Sequence, residues 1–67
     1  MNKHRLVRDD DVIHVYTNGK LTRMGFNIDK TADIRSFIRG SGLSDAEVDQ
    51  KMNELFSAGE TEITDKV

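Results

Sequence analysis

The stretch Leu43-Ser44-Asp45-Ala46-Glu47-Val48 decides the architecture, because it contains a complete helix-start signal. Ser44 and Glu47 stand at capping-box spacing: the Ser44 hydroxyl can accept from the Glu47 N–H while the Glu47 carboxylate reaches back to the Ser44 N–H. Leu43 and Val48 flank the box at the spacing of a hydrophobic staple, which sets the angle at which the chain enters the helix. A helix is therefore expected from Asp45 to about Ala58, burying Val48, Met52, Leu55 and Phe56, with Gly59 as its stop.

Upstream, Gly40-Ser41-Gly42 reads as a tight turn that joins this helix to an earlier one. Ile34, Phe37 and Ile38 form an i, i+3, i+4 stripe, Asp29 or Thr31 can cap it, and Gly40 ends it as a C′ residue. Further upstream, Asn18-Gly19 is the strongest short hairpin signal, since both residues tolerate φ > 0, and it is flanked by β-rich segments Val12 to Tyr16 and Leu21 to Ile28. A two-residue type I′ loop pairs Tyr16 with Leu21, Val15 with Thr22, His14 with Arg23 and Ile13 with Met24. Ile13, Val15, Thr22, Met24, Phe26 and Ile28 then share the core face, and Val12, His14, Tyr16, Leu21, Arg23 and Gly25 share the other. Edge strands are expected at both ends, His4 to Arg8 around Leu6 and Val7, and Thr61 to Thr64 with Ile63 inward. The second helix is expected to turn its stripe toward the hairpin. The fold class is α+β: a hairpin or small antiparallel sheet packed against two short helices, ββαα with an added strand at each end.

The 67 residues, 36% of them hydrophobic, suit one domain over residues 1–67 with a single small core. No cysteine is present, so neither a disulfide nor a thiolate metal site can reinforce it, and this fits a reducing cytoplasm. Met1 to Asp11 is charged and has no apolar segment of signal-peptide type, and the chain has no long apolar run; a soluble cytoplasmic protein is expected. The net charge of −2 is unevenly spread: residues 1–40 carry eight Lys and Arg against five Asp, whereas residues 41–67 carry two Lys against seven Asp and Glu. The acidic half disfavours unselective binding of phosphate backbones.

Catalytic constellations are not legible. Nucleophilic catalysis needs a nucleophile beside a base and an orienting group, but Ser44 serves as a cap, Ser41 as a turn residue and Ser36 as a helix-surface residue. Asp9-Asp10-Asp11 lacks the alternating oxygen ligands, central glycine and distal glutamate of a calcium loop, and reads instead as a charged guard on an edge strand. His14 has no second ligand at metal spacing and reads as a cross-strand neighbour of Arg23. The Gly40-Ser41-Gly42 turn before a helix has the outline of a phosphate loop, yet Asp45 and Glu47 already complement the helix dipole. The expectation is a non-enzyme without metal or cofactor.

Two readings of function remain. Helix, glycine-containing turn, helix is the outline of a helix-turn-helix, and Gly42-Leu43-Ser44 with Val48, Leu55 and Gly59 resembles the second half of winged-helix domains. A small DNA-binding regulator would use Arg35, Arg39 and Lys51, although the candidate recognition helix exposes Asp45, Glu47, Asp49 and Glu54. A second resemblance covers Val15 to Leu55. Val15-Tyr16-x-Asn18-Gly19, Asp29-x-Thr31-x-x-Ile34-x-Ser36-Phe37-Ile38-x-Gly40, Ser41-Gly42-Leu43 and Met52-Asn53-Glu54-Leu55 together resemble a small phage anti-CRISPR family that inhibits the type I-F Csy surveillance complex. That resemblance implies an antiparallel sheet backed by two helices, no enzymatic activity, and binding to the backbone subunits of the complex so that target DNA cannot hybridise with the guide. It places the family's hairpin tyrosine on Tyr16. This chain lacks the family's longer stretch between the Asn-Gly turn and the first helix, and with it an acidic contact residue; the family's N-terminal tyrosine has no counterpart either.

Tyr16, His14, Arg23 and Leu21 on the non-core face of the hairpin have the aromatic-plus-arginine composition of interface hot spots. They are the candidate partner-binding residues. The expected function is that of a protein-binding module, an inhibitor or adaptor directed at a host protein or ribonucleoprotein complex. Direct nucleic-acid binding and membrane contact are disfavoured, and a homodimer through the same face is the competing use.

Overall fold

A computed structural model describes residues 2–65. The elements run β1 (Lys3–Asp9), β2 (Val12–Thr17), β3 (Lys20–Asn27), α1 (Thr31–Arg39), α2 (Asp45–Ala58) and β4 (Glu60–Thr64). The strands form one antiparallel sheet in the order β3-β2-β1-β4. Both helices pack on one of its faces, which makes the chain a small α+β fold of the expected class.

The strand expected at the start of the chain is present, but it lies inside the sheet rather than at an edge, because β4 pairs with its outer side. Leu6 of β1, Ile13 and Val15 of β2, and Ile63 of β4 point to the helices. There they meet Ile34 and Ile38 of α1 and Val48 and Leu55 of α2. These eight side chains are at most 1% exposed, and burying each contributes roughly 1.5–3 kcal/mol before entropy is counted. Phe26, Ile28, Phe37, Leu43, Met52 and Phe56 pack around that cluster. The stripe of α2 meets β4, β1 and α1 rather than the β2–β3 hairpin.

The capping box forms as expected: Glu47 N–H donates to Ser44 Oγ at 3.3 Å, and Ser44 N–H donates to Glu47 Oε1 at 3.1 Å. Gly59 closes α2 with φ 87°, where a side chain would be strained. The start and end of α1 differ from expectation. Neither Asp29 nor Thr31 caps it; Lys30 occupies the N-cap without a side-chain bond. Gly40 has φ −60°, an ordinary helical value, and the left-handed residue of the turn is Gly42, with φ 91°.

The hairpin loop has both residues at positive φ, Asn18 at 52° and Gly19 at 84°, as type I′ geometry requires. Tyr16 faces Leu21, but beyond that pair the regular register fails: His14 faces Gly25, not Arg23, and Ile13 faces Phe26, not Met24. Two extra residues are accommodated on β3 in a bulge. Thr22 Oγ1 donates to the Val15 carbonyl at 2.8 Å and accepts from the Met24 N–H at 3.2 Å, so the bulge is stabilised from within. A shift of two preserves the face of each paired residue, but Met24, expected in the core, is 47% exposed. Asp10 and Asp11 likewise differ from the role of edge guard: they form the β1–β2 loop, with Asp10 at φ 58°, a left-handed conformation that Asp tolerates.

Candidate functional site

The sheet face opposite the helices is uncovered among the described residues. The antiparallel registers align its side chains in rows across the strands. One row runs Leu21, Tyr16, Arg5, Glu62; the next runs Gly25, His14, Val7, Glu60. Three of the four residues expected to bind a partner are thereby brought together: Tyr16 and Leu21 are opposed, and His14 lies one row away on the strand of Tyr16. Arg23 is displaced from His14 by the bulge, but it is exposed beside Leu21 and Met24 on β3. Leu21 is 59% exposed, while Tyr16 is half-buried between its neighbours.

Arg5 and Val7 belong to this face and were not legible as part of it. Their placement depends on β1 pairing with β2 on one side and β4 on the other, and the sequence of β1 alone carries no register signal. Arg5 donates to Glu60 at 3.0 Å, and Lys3 lies 3.2 Å from Glu62. The hydrogen bond and charge of Glu60 raise the Arg5 pKa above its ordinary value. The β1–β4 side of the face is thus a ladder of mutually neutralised charges, and solvent screening leaves each exposed pair little net worth. Near the β1–β2 loop, His14 Nε2 lies 3.8 Å from Asp9.

The helical surface differs in character. Arg35 pairs with Asp49 at 2.5 Å, Arg39 pairs with Asp45, and Lys51 lies 3.7 Å from Glu54. A shallow depression of about 260 Å³ is lined by Ala32, Arg35, Ser36 and Arg39. The three cations available to a groove-reading helix therefore already face carboxylates of the same protein.

A second polar cluster lies on the core side. His4 Nδ1 is 2.9 Å from Thr17 Oγ1, and Nε2 is 3.1 Å from the Asp65 carboxylate. The ring stands edge-on to Phe37, with centroids 5.5 Å apart, and Phe37 in turn contacts Phe26. Ser41, only 3% exposed, hydrogen-bonds the same carboxylate. That bond lowers the Asp65 pKa most; burial opposes it, and the His4 hydrogen bond and charge add to the lowering. Hydroxyl, imidazole and carboxylate in this order are also the parts of a nucleophilic relay. Here the ring is packed under Phe37 with 14% of its side chain exposed, and the cluster clasps β1, β2, the α1–α2 turn and the residue after β4. Among the described residues, no three His, Cys, Asp or Glu side chains are grouped closely enough to hold a metal ion. No helix among them is long and apolar enough to cross a membrane.

Comparison with protein-family models, curated proteins and solved structures returns no match to this chain.

Proposed function

We propose that this chain is a non-enzymatic protein-binding module that acts by covering a surface of a larger host complex with its open sheet face. One observation carries the reading: Tyr16 is held between Leu21 and Arg5 at the middle of a sheet face that, among the described residues, no helix covers. A half-buried aromatic anchor flanked by an exposed leucine and an arginine is the composition of an interface hot spot. The anti-CRISPR resemblance, whose hairpin tyrosine falls on Tyr16, supplies the target to try first, the type I-F Csy complex, with inhibition of target-DNA binding as the outcome.

The DNA-regulator reading has less support, because Arg35, Arg39 and Lys51 are engaged with Asp49, Asp45 and Glu54. A phosphate-binding protein would also lose affinity steeply with salt, whereas hot-spot packing would not. The deciding experiment adds the purified protein to a Csy complex and measures binding of target duplex, alongside a nuclease-treated pull-down from bacterial lysate. Tyr16→Ala should cost about 2 kcal/mol or more in partner affinity and relieve any inhibition. Identical partners for both proteins, or recovery of DNA alone, would remove the sheet-face reading.

A further inference from the structure

Ion pairing over the surface is uneven, and the asymmetry bears on what covers the open face. Lys3, Arg5, Arg35, Arg39 and Lys51 each have a carboxylate within ion-pair distance. Arg8 donates to the Asp10 carbonyl and lies over the Phe56 ring. Among the described residues, Lys20, Arg23 and Lys30 have no such partner; Lys30 stands at the start of α1, whereas Lys20 and Arg23 are both exposed on β3. No Asp or Glu occurs between Asp11 and Asp29, so the sequence supplies none within the strand. Of the three exposed large hydrophobic side chains among the described residues, two, Leu21 at 59% and Met24 at 47%, lie on the same strand.

From these observations we infer that the β3 edge of the sheet, through Leu21, Arg23 and Met24 with Lys20 at its hairpin end, receives an acidic, partly apolar protein surface; the inference rests on the sheet-face reading above. Covering Leu21 and Met24 removes water from the neighbouring cations, and an ammonium or guanidinium that loses water without gaining an acceptor is costly. Carboxylates on the partner supply that acceptor. Phosphates would also satisfy the charges, but they would leave Leu21 and Met24 against a polar backbone. The bulge decides the manner of contact. Its Met24 N–H is already bonded to Thr22 Oγ1, so the edge there offers side chains rather than a free backbone ladder for an added strand.

The test pans phage-displayed random dodecapeptides against the full chain, then titrates synthetic copies of the enriched peptides while amide NMR spectra are recorded. Enriched peptides should carry net negative charge with at least one large apolar residue, and should shift the amides of residues 20–24 and Tyr16. The double variant Lys20→Glu/Arg23→Glu, altered only at exposed positions, should bind them at least about tenfold more weakly. Neutral or basic peptides that still shift Tyr16 and His14 would overturn the acidic-partner inference and leave the sheet-face reading standing. Peptides that shift only the α1–α2 surface, or no enrichment at all, would overturn both. A short single-stranded DNA that shifts residues 20–24 and binds more tightly than the peptides would also sink the inference.

Discussion

His4 Nε2 lies 3.1 Å from the carboxylate of Asp65, joining residues 61 positions apart across the edge of the core. The same ring takes Thr17 on its other nitrogen and Phe37 on its edge, so one side chain fastens β1 to β2, α1 and the residue after β4. In a domain whose core supplies only roughly 3–5 kcal/mol of net stability, a clasp of this kind matters to the whole fold.

His4→Ala should destabilise the protein by about 2 kcal/mol, since it removes the ring's packing and leaves Thr17 and Asp65 without their shared partner. Urea unfolding followed by circular dichroism measures the loss. A midpoint indistinguishable from that of the native chain would mean that solvent replaces the ring at no cost and that the cluster is not a clasp.

The clasp also predicts an acid limit. Ser41, more than His4, holds the Asp65 carboxyl below its ordinary pKa in the folded protein. A carboxyl depressed on folding stabilises the fold fully above its unfolded pKa, and that contribution is lost as pH falls through the folded value. Stability should therefore be nearly level above about pH 5 and decline below about pH 4, and Asp65→Asn should flatten this decline. Urea midpoints taken across that range for both proteins test it; parallel curves would place the acid sensitivity in other carboxylates.

Ser44→Ala removes one half of the capping box while leaving Val48 and Leu55 in the core. The expected loss is about 1 kcal/mol, which lowers Tm by roughly 4–8 °C in a domain of this size. Ser57→Ala is the control, since Ser57 only donates to the Asn53 carbonyl near the other end of α2 and is exposed. Equal effects of the two substitutions would remove the cap from the account of helix formation.

What was legible in the sequence follows from how local each signal is. The capping box of α2, the Gly59 stop and the Asn18-Gly19 turn depend on residues within a few positions of one another, and all three stand as read. The buried stripes of both helices were legible by period alone. The central position of β1 was not, because strand order depends on pairings between distant segments. For the same reason Tyr16, Leu21 and His14 were legible as one face, while Arg5 and Val7 were not. Ser41 was read as a turn residue and His4 had no assigned role, since Asp65, which joins them, is distant in sequence from both.

The bulge in β3 is the clearest case of tertiary packing overriding a local rule, and it yields the last prediction. A regular hairpin would oppose His14 to Arg23 and Ile13 to Met24; the fold instead opposes Ile13 to Phe26, whose ring packs on Phe37 with centroids 5.8 Å apart. Thr22 supports the two extra residues through its bonds to the Val15 carbonyl and the Met24 N–H. Thr22→Val keeps the shape and removes both bonds, but the Met24 N–H is near solvent, so the cost should be about 1 kcal/mol rather than the larger cost of a buried orphan donor. Because Phe26 fills the core better than the flexible Met24 would, cross-strand NMR contacts between His14 and Gly25 should survive the substitution. Contacts between His14 and Arg23 in their place would show that the Thr22 hydroxyl, and not the packing of Phe26, selects the register.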